Sequence, residues 1–276
     1  MSHASVIVAL SPEQIASAGG VEEAVAFQMA PFEESSWFAD GTRWDWYSIG
    51  GRYSGKFAPP DYEPEDDPAN LEACFICGGT GVRSDALGRE HRKQNPGYTC
   101  NGCGGKGKSV KHASHWRQVG NICKRADLDE SALIEGRKVA AEKLWVRWLA
   151  EERKDDFVRE YVYGLEAGDT METVIARYQQ SPLSAYAFLK DRRWCEKTRM
   201  GWFGADHATE CEIKAEASGE EWTGRCLYKD EKTGAQIVSF QEGEDDDDRR
   251  WARLYWARFI RSLPPETTLV VVDYHV

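Results

Sequence analysis

Two copies of one eight-residue phrase constrain this chain more than any other feature: Cys-Phe-Ile-Cys-Gly-Gly-Thr-Gly from Cys74 and Cys-Asn-Gly-Cys-Gly-Gly-Lys-Gly from Cys100. Each fits the pattern Cys-x-x-Cys-x-Gly-x-Gly. A Cys-x-x-Cys turn sets two sulfurs on one side of a tight knuckle, and a second knuckle facing it completes the four-thiolate tetrahedron of a closed structural zinc site. The spacing therefore predicts one zinc ion per chain, held by Cys74, Cys77, Cys100 and Cys103. Gly79, Gly81, Gly105 and Gly107 let the backbone take positive φ and turn its amides toward the sulfurs.

The doubled phrase resembles the cysteine-rich region of DnaJ-type co-chaperones, where four such repeats hold two zinc ions and contribute to handling unfolded client chains. The resemblance runs from about Ala73 to Lys108. With two repeats here it implies one zinc, and it carries the ligand role to those four cysteines only. No J-domain is visible, since none of the six histidines precedes a proline, and the Gly/Phe-rich linker is missing. The flanks are similar to DnaJ-like zinc-knuckle proteins of actinobacteria and their phages, through the segment Trp46-Tyr47-Ser48-Ile49-Gly50-Gly51-Arg52 and the ending Val271-Val272-Asp273-Tyr274-His275. That likeness brings no activity with it.

The chain has 276 residues, long enough to bury a real core as one large domain or two modest ones. Its 41% hydrophobic content and 11 tryptophans predict a globular protein with an aromatic interior. No apolar run reaches membrane-spanning length, and the N-terminus lacks a basic stretch ahead of its short apolar segment, so the expected location is cytoplasmic. Outside the zinc phrase, Cys123, Cys195, Cys211 and Cys226 follow no disulfide rhythm and read as reduced, buried thiols. A net charge of -11 argues against general phosphate-backbone binding.

The expected fold class is α+β: a mixed sheet that includes the N- and C-terminal strands, covered on a face by helices, with an inserted zinc ribbon. Apolar runs at Val6–Leu10 and from Thr268 to Val276 suit strands buried on both faces, and pairing them would bring the chain ends into one sheet. The organisation divides into an N-terminal part of the body (1–65), the ribbon (66–112), a helical segment (113–193) and a C-terminal part of the body (194–276). Ser11-Pro12 opens a helix, Asp129 to Tyr163 has helical spacing, Asp169 has the spacing of a capping box, and Ser181-Pro182 reads as the start of another helix toward Arg192. The polar stretch 82–99 reads as a short hairpin or loop. Four strands follow from Trp194 onward, in the simplest reading a meander, and the last helix carries Trp251, Leu254, Tyr255 and Phe259 on one face.

Several constellations compete as further sites. Trp44, Asp45, Trp46 and Arg52 can form a ligand or partner contact, or a core-facing strand and turn with an Asp-Arg pair on its rim. His112 and His115 can hold a second metal or stand as exposed neighbours of the ribbon. The acidic run Asp245–Asp248 reads as a cation site, a phosphate mimic or a helix N-terminus. Gly201-Trp202-Phe203-Gly204 reads as a packed turn. Asp273 and His275 share a strand face and are the best acid-base pair on offer, yet no motif of a common enzyme class accompanies them.

The leading expectation is a non-catalytic, zinc-stabilised factor that binds a protein partner, chaperone-like or, in its most specific form, a phage accessory or anti-defence protein acting on a host complex. The alternative is nucleic-acid binding through Arg83, Arg89, Arg92, Lys93, Lys106 and Lys108 of the ribbon. A third reading is an enzyme with a site near Trp44–Arg52 or Asp273/His275.

Overall fold

The computed structural model describes residues 3–34, 41–59, 62, 65–112, 115, 117, 119–197, 209–217, 220–240 and 247–275. In chain order the elements are β1 (His3–Leu10), α1 (Pro12–Ala18), α2 (Val21–Met29), β2 (Trp46–Ile49), β3 (Leu71–Ala73), α3 (Ala86–Gln94), β4 (Lys108–Val110), β5 (Ile122–Lys124), α4 (Glu130–Ala150), α5 (Met171–Gln179), β6 (Ala187–Lys190), β7 (Arg193–Lys197), β8 (Thr209–Ala217), β9 (Glu220–Lys229), β10 (Gln236–Phe240), α6 (Asp247–Tyr255) and β11 (Thr268–His275). They form two compact units, Met1–Asp61 with Gly120–Val276, and Tyr62–Val119.

The first unit is built on a mixed sheet in the order β2-β11-β1-β6-β7-β10-β9-β8, with β5 also paired to β11. The two terminal strands pair antiparallel, from His3 opposite His275 to Leu10 opposite Thr268. β6 lies parallel to β1, and β10 lies parallel to β7. The meander is thus confined to β8-β9-β10, and β7 joins it in the parallel sense. Because successive side chains of a strand point to opposite faces, Val6, Val8 and Leu10 pack beneath Val25 and Met29 of α2 with Phe32 and Trp44. Ile7 and Ala9 face the other way, into a layer made by Trp251, Leu254 and Tyr255 of α6 and by Phe259 and Ile260 of the π-helical turn that follows it. Helices therefore cover both faces of the sheet. Each fully buried Val or Ile of β1 contributes about 1.5–3 kcal/mol, which makes β1 and β11 the anchor of the unit.

Local sequence explains most of the elements. Ser11 and Gln14 cap α1 reciprocally, with proline at the first helical position. Asp129 accepts from Ser131 N and Ala132 N at the start of α4, and the helical pattern breaks after Ala150 before resuming as a π-helical turn over Val158–Val162. The bulky face of α6 satisfies its polar tips at the start of β6 and just ahead of it: Trp251 Nε1 donates to Ala185 O and Tyr255 Oη donates to Ala187 O, each at 2.8 Å.

Three expectations need correction. The helix expected after Ser181-Pro182 is absent; the chain instead enters β6 and turns back into β7 through Asp191 and Arg192, both at positive φ. That two-residue turn lacks the usual Asn-Gly and is held from a distance, by Gln14 Nε2 donating to Asp191 Oδ1 and Arg192 N donating to Gln28 Oε1. The cap of α5 is Thr170, paired with Thr173, while Asp169 serves as a partner of Arg177. Residues 82–99 contain α3, where a loop or hairpin was expected: Asp85 accepts from Gly88 N at its start, and His91, Arg92 and Lys93 lie at its C-terminal end, where the helix dipole favours cations. Gly201-Trp202-Phe203-Gly204 and the acidic pair Asp245 and Asp246 lie outside the described residues, and α6 begins at Asp247. Among the described residues no helix is long and apolar enough to cross a membrane.

Candidate metal centre

The unit Tyr62–Val119 carries a two-stranded ribbon, β3 with β4, whose ends lead into the two knuckles. The knuckles repeat each other bond for bond. Cys74 N donates to Gly107 O and Cys100 N donates to Gly81 O, both at 2.9 Å. Gly81 N points at Cys77 Sγ at 3.3 Å, and Gly107 N points at Cys103 Sγ at 3.2 Å. Each repeat thus closes on the other through its final glycine, and the module has a local pseudo-twofold.

That interlock explains the glycines. A Cβ on Gly81 would sit 2.3 Å from Gly105 O, and one on Gly107 would sit 2.4 Å from Gly79 O, both at positive φ. Gly81→Ala and Gly107→Ala are each expected to lower metal affinity by about 10- to 100-fold, the scale of losing an outer-shell partner. Competition against a chromophoric chelator reads this directly; unchanged affinity in both variants would remove the interlock from the argument.

The four sulfurs all lie within 4.8 Å of one another. Cys74 and Cys100 are 3.9 Å apart at sulfur, Cys77 and Cys103 3.8 Å. A tetrahedron of four sulfurs at about 2.3 Å from a central zinc has edges of about 3.8 Å, which these two pairs match, so the cluster could hold one ion. Burial pushes both the Cys77 and Cys103 thiols up; hydrogen bonds led by that of Gly81 N outweigh it at Cys77 and leave it at about 7, while Cys103, which shares its protons with the other cysteines, is held at about 11. Among the described residues of this unit the four cysteines form the one buried hydrophobic cluster. This is a four-cysteine cluster consistent with a zinc-binding module. His112 and His115 are joined through a backbone hydrogen bond of 2.8 Å and do not enter the cluster.

The ribbon's basic residues divide into two groups. Arg83 is paired with Asp85 at 2.8 Å and Lys93 with Glu90 at 3.0 Å. Arg89 and Arg92 donate to the carbonyls of Ser84 and Arg83. Arg83 and Arg92 are half-buried, whereas Arg89, Lys93, Lys106 and Lys108 are exposed.

The segments holding Trp44–Arg52 and Asp273/His275 do meet, because β2 sets Trp46 opposite His275 and Ser48 opposite Asp273. Their side chains combine otherwise than expected. Asp273 and His275 have separate partners: His3 Nδ1 lies 2.9 Å from Asp273 Oδ1, and His275 Nδ1 lies 2.7 Å from Asp45 Oδ1. Asp45 therefore pairs with His275 and not with Arg52, whose backbone amide donates to Asp273 Oδ2 at 2.9 Å. Trp44 is buried and donates to Met29 O, whereas Trp46 is half exposed, with its ring 6.0 Å from that of His3. A carboxylate only accepts, so each ring donates through Nδ1. Asp273, buried and bonded through both oxygens, ties the start of β1 and the turn after β2 to β11, which is a structural assignment. His3 was missing from the sequence reading; aligning the two terminal apolar runs antiparallel would have placed it against His275.

Of the remaining thiols, Cys195 and Cys226 are buried and Cys123 is half-buried, all unbridged. Burial pushes the Cys123 and Cys195 thiols up to about 12, which makes them inert. Set against family models, curated proteins and solved structures, the chain matches none of them.

Proposed function

We propose that this is a non-catalytic, zinc-stabilised interaction factor, in which residues 71–110 fold around one zinc ion and offer the apolar side chains of the first knuckle to an extended, apolar segment of a partner polypeptide. The observation that carries this reading is the outward placement of the module's apolar residues. Phe75, between the first two ligands, is 96% exposed, and Ile76, Val82, Leu87 and Val110 are exposed as well. A domain this small ordinarily needs its apolar residues for its own core. Here the cysteine cluster stands in for that core, so Phe75 and Ile76 sit on a rigid knuckle at little entropic cost of ordering on binding. The likeness of the doubled phrase to the cysteine-rich region of DnaJ-type co-chaperones supports the same class of ligand, an unfolded or extended chain. The net charge of -11 weighs against nucleic acid.

The test is fluorescence anisotropy with a labelled, permanently unfolded model polypeptide, with a single-stranded oligonucleotide in a parallel arm. The double variant Phe75→Ser, Ile76→Ser is expected to weaken polypeptide binding at least about tenfold, the loss of about 1.5 kcal/mol or more of apolar contact, with zinc content unchanged. Polypeptide binding that ignores the double variant would sink the reading. Salt-sensitive oligonucleotide binding that falls on changing Lys106 and Lys108 would replace it.

A further inference from the structure

We infer that the α+β unit binds a small molecule through an oxyanion group, a phosphate or a carboxylate, seated between Lys56 and Arg137 in a cleft separate in the chain from the cysteine module. The cleft has a volume of about 290 Å³ and is lined by Tyr53, Ser54 and Lys56 from the turn after β2, Arg137 of α4, and Ser181 and Ser184 ahead of β6. Its size suits a compact metabolite or a single anionic group with a few attached atoms.

Charge is the argument. Neither Lys56 nor Arg137 has a carboxylate partner among the described residues, and Arg137 Nε is buried with no hydrogen-bond acceptor. The guanidinium is nonetheless held in place, 4.6 Å over the ring of Tyr178. Two cations kept close together and partly desolvated, with no counter-charge, cost the fold free energy that an anion between them would return. The strain shows in the lysine: burial, with Arg137 adding to it, pushes the Lys56 ammonium down to about 8. The hydroxyls complete the wall. Tyr53 Oη donates to His3 O, Ser54 Oγ to Asn121 Oδ1 and Ser181 Oγ to Ala252 O. Ser184 Oγ has no partner among the described residues and keeps its proton for an anionic oxygen. Bidentate recognition of an oxyanion by arginine, with a lysine as the second point charge, is the usual chemistry of such a pair.

The sign of the pH dependence follows. An anion favours charged Lys56, so binding is full below pH 8 and weakens as pH rises through the free protein's value of about 8. Sulfate is the probe of choice because it does not titrate in this range; malonate represents a carboxylate ligand. Calorimetric titration of the full chain at constant ionic strength should show saturable binding of one of the two, about tenfold weaker at pH 9 than at pH 7. Lys56→Met and Arg137→Met should each abolish it while melting, without anion, at or above the parent temperature, because the repulsion is gone. Sulfate alone assigns a phosphate-type group, malonate alone a carboxylate. Absence of saturable binding by either, or binding indifferent to pH and to both variants, would overturn the inference, and the pH arm needs no variant to fold.

Discussion

Replacing Cys100 with serine is expected to release the metal and unfold residues 71–110 while the sheet of the first unit stays folded. The cluster of Cys74, Cys77, Cys100 and Cys103 is the only buried hydrophobic cluster described in its unit, and β3 and β4 contribute a mere three residues each. Without the ion, four buried thiols and two interlocked knuckles have nothing to offset their conformational entropy. Structural zinc in modules of this kind contributes about 10–16 kcal/mol of apparent free energy, which is folding free energy. Elemental analysis should give one zinc per chain in the parent and none in Cys100→Ser. Hydrogen exchange should show protection lost across 71–110 and retained across β1 and β11. A metal-free parent that keeps its protection in 71–110 would mean that the module is held by something other than the cysteines.

The largest effect in the first unit is expected from Trp194→Ala, at about 3–5 kcal/mol of stability. Trp194 is fully buried in the centre of the sheet. Its ring lies 5.3 Å from Phe32 and 5.2 Å from Tyr274, so it joins the layer under α2 to the C-terminal strand. Its Nε1 donates to Glu196 Oε2, and both oxygens of Glu196 accept from Arg43. Truncation therefore opens a cavity and removes one member of a partly buried polar network at the same time. Urea denaturation gives the number, and Trp46→Ala serves as the contrast. Trp46 is half exposed on the rim, and its loss should stay within about 0.5 kcal/mol. Equal effects of the two substitutions would contradict the burial on which the argument rests.

What could be read from sequence was what depends on near neighbours or on strong contrast. The four clustered cysteines follow a local spacing, and the two terminal strands are apolar runs, so the cluster and the strands were legible, as was the apolar face of α6. What escaped has its causes at a distance. The Asp191-Arg192 turn is fixed by Gln14 and Gln28, which a local window around Ser181-Pro182 cannot contain. α3 has no apolar face to bury, its one large apolar residue Leu87 being exposed, so only its Asp85 cap announces it. The pairings of His3 with Asp273 and His275 with Asp45 exist because β1 and β2 both border β11, a fact of topology that no single segment carries. Lys56 and Arg137 lie far apart in sequence, and only the fold brings them to one cleft.

The pairing of β1 with both β6 and β11 also sets an order of events. Residues 3–10 are made before both of their partners, residues 187–190 and 268–275. Until the last strand is available, one edge of an apolar strand has no neighbour, and closing so long a loop is slow. The cysteine module, at 71–110, spans a much shorter stretch and does not wait for the last strand. During synthesis β1 therefore stays uncovered until 268–275 is made, and it is then that the chain is most exposed to aggregation.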